Sequence, residues 1–420
     1  MDRSLRSWLI SPRPVPGTGR PPRDTRVDVV RGLALLFIFV NHIPGNPLSV
    51  ATPAHLWFSD AADAFVLLAG FAVAVAYGPL IDSRGVPAGA ARIGARMAEL
   101  YAAHLMTLLF VAALVAWSAA RLERPDQLTM LGLLPLFTAT EDTILRALAL
   151  TFQPSYVDIL PLYVVLLGLA PVILWLARTA PIVALAASAA LWLLVQATDM
   201  NLPNGAEGQG WFFNPFAWQL LFTIGIVAGL AALDGIALPR SSRLLRLALV
   251  VVIGSVLLKG LSGQIAFLQW AAVLPPELAP QPSKTQLSLW RVVNVLALAY
   301  LIAVLVPASA RWLSAAPAAV IAVLGRRSLP VFALGTVLSV AGTIALTEAA
   351  WSTPSVVAVN AGGILVLIGT ALALDWADRA ANMANRPAAP VRADGGARPG
   401  GRAGAGTSEL ARAVPIGRRS

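Results

Sequence analysis

From its N-terminus the chain is polar for about 27 residues and then alternates long apolar runs with short polar breaks. Runs of roughly 17–25 apolar residues have the length at which a helix crosses the hydrocarbon core of a bilayer. Ten such segments are expected, at residues 28–43, 60–80, 94–117, 156–177, 180–197, 214–233, 243–261, 288–306, 328–348 and 355–375. A shorter helix is expected over 315–326, leading into the ninth. The fold class is therefore all-α, a polytopic helical membrane protein of about ten transmembrane helices. The first span is the least apolar, because only Gly32 to Val40 is free of polar side chains. Such a segment belongs among other helices rather than against lipid.

The polar positions of that first span share a face. Arg31 and His42 stand eleven residues apart, and eleven helical steps make about 1100°, within ~20° of three full turns. Their axial separation is roughly 16 Å, about half the hydrocarbon core. A cation and an imidazole on one stripe of a membrane helix are costly, which makes both candidates for function. Asp28, one turn before Arg31, offers a structural alternative as its ion-pair partner, whereas the planar guanidinium fork also suits a phosphate. After His42 the helix breaks at Ile43-Pro44-Gly45-Asn46-Pro47. Irregular backbone at that depth is tolerated only against protein or a water-filled cavity. The structural alternative for His42 is a hydrogen bond to a loop carbonyl.

The second span opens with Ser59-Asp60-Ala-Ala-Asp63. Ser59 fits an N-cap, and acids in a first turn suit the helix dipole. Asp63 lies one turn deeper on the Asp60 face and is expected beside His42, where a carboxylate fixes the tautomer and raises basicity. In the third span Glu99 and His104 are candidate intramembrane supports, with Asp28 of the first; Arg96 and Glu99 are expected to pair across one turn. Asn46, Asp158, Asn214, Gln219 and Arg291 sit at helix entrances on the His42 side and are candidates for holding a hydroxyl-rich or anionic ligand. Trp211 and Trp218 fit interfacial anchors. His55, in a proline-flanked loop, is expected to be solvated.

Composition narrows the chemistry. With 57% apolar and 12% charged residues and a mean hydropathy of +0.73, the chain departs from a soluble average. There is no cysteine, which excludes disulfides, thiolate metal sites and a cysteinyl acyl-enzyme. Three histidines do not make a histidine-rich metal centre, so neither a metal nor a bound cofactor is expected. The formal charge of +10 resides in loops and tails rather than in an aromatic-interleaved patch, so it reports topology and not nucleic acid. With the N-terminus placed in the cytoplasm, only Arg121, Arg124, Arg146, Lys259, Lys284 and Arg291 of the 31 Lys and Arg fall outside. An even number of spans then keeps both termini cytoplasmic. No cleavable leader pattern precedes the first span. Residues 1–22 and 379–420, rich in Arg, Pro, Gly and Ala, are expected to be disordered tails flanking a membrane domain over 23–378. No Gly-rich nucleotide loop, zinc motif or serine elbow is present.

At the residues singled out, the chain resembles the OpgC family of integral membrane acyltransferases, which modify osmoregulated periplasmic glucans with succinyl groups. The blocks that carry the resemblance are Arg31-Gly-Leu-Ala-Leu-Leu-Phe-Ile-Phe with His42-Ile-Pro-Gly-Asn46-Pro47-Leu, then Phe58-Ser-Asp-Ala-Ala-Asp63-Ala-Phe-Val. Further blocks are Gln153-Pro154, Asp158-Ile-Leu-Pro-Leu-Tyr163, Phe213-Asn-Pro-Phe-Ala-Trp-Gln-Leu-Leu-Phe222 and Ser328-Leu-Pro-Val-Phe332. They spread from residue 23 to about 376. The wider superfamily shares an arginine, ten-residue, histidine arrangement that Arg31 and His42 match. Asn41 stands where the family typically has an acid, and Asn294 and Arg327 stand where it often has histidine.

The resemblance implies an acyl-CoA-dependent O-acyltransferase of the bacterial cytoplasmic membrane. Its co-substrate would be an acyl-CoA, succinyl-CoA foremost, entering from the cytoplasm. Its acceptor would be a hydroxyl of a glucan or similar carbohydrate outside. On this reading Arg31 contacts the donor's phosphate end, His42 is the general base, and Asp60 or Asp63 orients it. A different class, a secondary transporter or flippase, would also use intramembrane Arg, His and Asp. Transporters often carry paired broken helices in two repeats, and no second copy of the first two spans is found, which favours the enzyme. A polysaccharide-assembly partner without activity of its own is a third reading.

Overall fold

Each expected span falls on one helix. The computed structural model describes residues 3–10, 23–205, 209–275 and 280–384. In chain order the helices are α1 (Arg3–Ile10), α2 (Thr25–Asn41), α3 (Pro53–Leu56), α4 (Ala61–Arg84), α5 (Val86–Arg121), α6 (Asp126–Met130), α7 (Leu134–Thr138) and α8 (Thr140–Leu148). There follow α9 (Ile159–Thr179), α10 (Pro181–Thr198), α11 (Pro215–Leu233), α12 (Ser242–Leu261), α13 (Leu289–Leu305), α14 (Ala316–Arg326), α15 (Ser328–Glu348) and α16 (Thr353–Ala384). A two-residue antiparallel pair, β1 (Pro203–Asn204) with β2 (Gln209–Gly210), closes one loop. Among the described residues eight helices are long and apolar enough to cross a membrane; α2 and α13, at 17 residues each, fall short of that length. The protein is thus a polytopic helical membrane protein, and its short helix at 316–326 lies where the sequence places one.

Local chemistry sets the helix ends. The Asp24 carboxylate accepts from the Arg26 amide to start α2, and Gly45, at φ = +78°, sits in the turn that follows His42. Asn214 caps α11 ahead of Pro215, the favoured first helical position for proline. Two expectations change here. Residues 3–10, expected within a disordered tail, form α1, whose buried Trp8 donates from Nε1 to Asp234 at 2.7 Å. Asp234 is also held by Arg178, which pairs with Asp82 as well, so one ionic knot ties α1, α4, α9 and the end of α11. The last helix continues past the expected end at 375 to Ala384. Residues 11–22 and 385–420 of the expected tails lie outside the described residues. By its contacts the chain forms one unit over 1–377 and a second over 378–420, of which 378–384 are described as the last turns of α16.

Helix α2 is clamped by backbone approaches that only glycine permits. A Cβ at Gly32 would lie 2.0 Å from the Ile321 carbonyl oxygen, and one at Gly325 would lie 1.9 Å from that of Asp28. The α4–α11 crossing is built the same way: a Cβ at Gly70 or Gly225 would stand 2.0 or 2.1 Å from a carbonyl of the partner helix. Without a hydrophobic drive between helices in lipid, such close packing is what holds them together. The main core draws Phe39, Val66, Leu166, Trp218, Phe222 and Phe332 from α2, α4, α9, α11 and α15. A second cluster joins Leu108, Val111 and Val115 of α5 to Leu131, Leu133, Phe152, Val340 and Ile344. The segment 118–155, between the third and fourth expected spans, is therefore packed structure. It folds back along α5 until the Tyr101 hydroxyl donates to the Leu148 carbonyl, roughly 30 Å before the helix ends.

Candidate functional site

Two cavities lie along α2, one at each polar residue of its stripe. The first, about 180 Å³, is lined by Arg31, Phe65, Tyr77, Arg96, Tyr163 and Ser328, with apolar neighbours. The second, about 550 Å³, is lined by Asn41, His42, Asp60, Gln153, Tyr156, Asp158 and Lys284, among others. Ile159 and Phe332 line both. They form the wall between an Arg31 chamber and a His42 chamber.

Arg31 has no carboxylate within ion-pair distance among the described residues. Its Nη2 donates to Ser328 Oγ at 3.4 Å, its guanidinium lies 5.5 Å from the Phe65 ring centre, and its Nε is buried without a partner. The alternative of an Asp28 partner is overturned, because Arg23 grips Asp28 with two hydrogen bonds of 2.6 and 2.9 Å. An uncompensated guanidinium facing a cavity is suited to an anion. Arg96, in the same chamber, makes the expected pair with Glu99 at 2.6 Å.

His42 caps the C-terminus of α2. Its ring is bracketed by Tyr156, 4.7 Å away between centroids and tilted 42°, and by Phe332, 6.4 Å away and edge-on at 83°. Its Nδ1 is buried with no hydrogen-bond partner. The expectation that Asp60 or Asp63 orients this ring does not hold. Fully buried Asp63 accepts from the Asp60 amide at 2.7 Å, completing a capping box, and pairs with Arg291 at 2.5 Å. Asp60, not Ser59, is the N-cap; its carboxylate accepts from the Ala62 amide and pairs with Arg291 and Lys284, each at 2.9 Å. Two acids facing two cations have no need of an imidazole. Arg291, expected at a ligand entrance, is a buried structural cation instead.

The remaining candidates separate by location. Buried Asn46 donates to the Val40 carbonyl and to Asn360. Buried Asn214 caps α11 and donates to the Met200 carbonyl. Buried Gln219 bonds with Ser188. None of the three lines either chamber, and their polar groups tie helices to loops. His104 is fully buried against the Val157 backbone. Asp158, at the start of α9, does line the His42 chamber. His55, expected in solvent, is half-buried in α3, where burial and the nearby Lys259 ammonium lower its pKa from the usual imidazole value. Each departure from the family pattern has work in the structure. Asn41 accepts from Thr52, Arg327 faces Asp375 at 3.5 Å, and Asn294 links Ser59 to Ser255.

Three site residues escaped the sequence reading. Phe332 forms the wall between chambers. Lys284 pairs with Asp60 and lies 5.7 and 5.3 Å from the Phe212 and Phe213 ring centres, a cation–π arrangement. Tyr156 sits at φ = +70°, a region a bulky residue rarely occupies and one that gathers at functional sites. Only the Pro154 turn ahead of it hinted at an irregular backbone.

The family described as OpgC protein matches residues 23–379. No curated protein and no solved structure matches the chain.

Proposed function

The chain belongs to the OpgC family, and on that premise we propose that it transfers an acyl group, succinyl foremost, from acyl-CoA to a hydroxyl of a periplasmic glucan across the bacterial cytoplasmic membrane. The observation that supports this most is the pair of chambers meeting at Ile159 and Phe332, with Arg31 in one and His42 in the other. Such an arrangement suits two substrates that approach from opposite sides and react at a shared wall.

The Arg31 chamber faces the cytoplasm in this reading, in keeping with the arginine distribution. Arg31, aided by Arg96, receives the donor's phosphates, and the thioester reaches past Phe332 to His42. With Nδ1 buried, Nε2 is the nitrogen that accepts the proton of the acceptor hydroxyl as its oxygen attacks the thioester carbon. The C–O bond forms, the C–S bond breaks, and the imidazolium returns the proton to the departing thiolate. General base catalysis of this kind is worth about 10²–10⁴-fold. The aromatic bracket fixes the plane of the imidazole, the task that a carboxylate performs in many such sites.

Purified protein in lipid nanodiscs, incubated with labelled succinyl-CoA and a glucose oligosaccharide, should place the label on the oligosaccharide. Label that stays on coenzyme A over many turnover times would overturn the reading.

A further inference from the structure

The His42 chamber is lined by two carboxylates, and only one of them is in an ion pair. Asp60 is committed to Arg291 and Lys284. Asp158 makes no ion pair within 4 Å among the described residues, although its side chain is in a residue only 9% exposed. Capping is the ordinary reason for an acid at this position, yet the side chain makes no capping hydrogen bond to α9. Its nearest polar partners are the backbone amides of Asp158 itself and Ile159, and the Lys284 ammonium acts on it from farther across the chamber. A buried carboxylate without an ion-pair partner is costly, and the positive end of the 21-residue α9 and the more distant Lys284 offset only part of that cost.

The turn before α9 brings this carboxylate to the general base. Tyr156, held at φ = +70°, lays its ring on His42, and Asp158 two residues later lines the same cavity. A carboxylate there can only accept hydrogen bonds, so its ligand must be a donor. Lys284 in the same chamber disfavours a cationic ligand, so a neutral donor such as a hydroxyl fits the site. Gln153, Asn204 and Thr285 add neutral amide and hydroxyl groups to the lining, and Phe212 an aromatic face.

We infer that Asp158 is an acceptor-binding residue, which accepts hydrogen bonds from hydroxyls of a polyhydroxylated acceptor and so presents one hydroxyl to His42. This rests on the acyltransferase reading above and names the residue that selects and positions the acceptor. Asp158→Asn keeps the shape and capping ability while removing the charge, and Asp158→Ser keeps only the capping ability. Both should raise the KM for a glucose oligosaccharide about tenfold or more, the loss expected for a hydrogen bond to a charged group. The KM for succinyl-CoA and the unfolding temperature should stay at wild-type values.

An unchanged oligosaccharide KM in both variants would overturn the assignment, as would an equal rise in both KM values. If both variants lose the wild-type unfolding transition, the carboxylate is a structural element and the assignment also falls. Absence of any transfer by the wild-type protein is a different result. It would remove the acyltransferase reading itself, and the assignment with it.

Discussion

The ring of Tyr156 lies 4.7 Å from the imidazole of His42, with 42° between the two planes. This contact takes the place of the carboxylate expected beside the histidine, and Phe332 closes the other side. The aromatic ring, not the phenol, is what holds the imidazole, so Tyr156→Phe should keep kcat within about twofold. Tyr156→Ala should lower kcat about tenfold by loosening the reacting geometry, with the KM for succinyl-CoA unchanged. Steady-state kinetics in nanodiscs separates the two variants. A large loss in Tyr156→Phe would show that the hydroxyl itself takes part.

Arg291 is expected to matter for stability before it matters for catalysis. It is the only cation within ion-pair distance of fully buried Asp63 among the described residues. Removing one partner of such a pair costs on the order of 3–5 kcal/mol. Arg291→Ala should therefore lower the unfolding temperature sharply in detergent. Adding Asp63→Asn to that background should recover part of the loss, because it removes the stranded charge. A double variant no more stable than Arg291→Ala would contradict the pairing.

The glycine contacts make a sharper structural prediction. Gly32→Ala or Gly325→Ala would drive a methyl group into a carbonyl oxygen and push α2 off α14. Both should yield little folded protein by size-exclusion chromatography. Gly94, exposed within α5, has nothing within 4 Å of where its Cβ would be. Gly94→Ala should be neutral or stabilising by up to about 1 kcal/mol.

Arg31 gives a test of the donor chamber. Arg31→Ala should raise the KM for succinyl-CoA about tenfold or more and leave the oligosaccharide KM unaltered. Arg31→Lys should restore only part of the affinity, because an ammonium lacks the bidentate fork. A rise in the oligosaccharide KM instead would reverse the two chambers.

The helices were legible because apolar run length is a local property of the sequence. Each expected span lies on one helix, and Arg31 and His42 of the expected stripe each line a chamber along α2. Most partners of the polar groups were not legible, because they come from distant segments or from just outside the apolar span. Asp63 is expected beside His42 from its depth in the second span, yet Arg291, 228 residues later, claims it. Asp28 stood one turn from Arg31, but Arg23, five residues from Asp28, takes it first. Tyr156 owes its position to a backbone conformation that residue type disfavours. Lys284 read as one more loop charge until the fold brought it to Asp60.

The central claim is that His42 is the base between the two chambers. His42→Ala protein, verified as folded by its wild-type unfolding temperature, should bind succinyl-CoA with unchanged affinity. Its rate of label transfer to the oligosaccharide should fall by at least a hundredfold. Transfer at the wild-type rate by this variant would contradict the account.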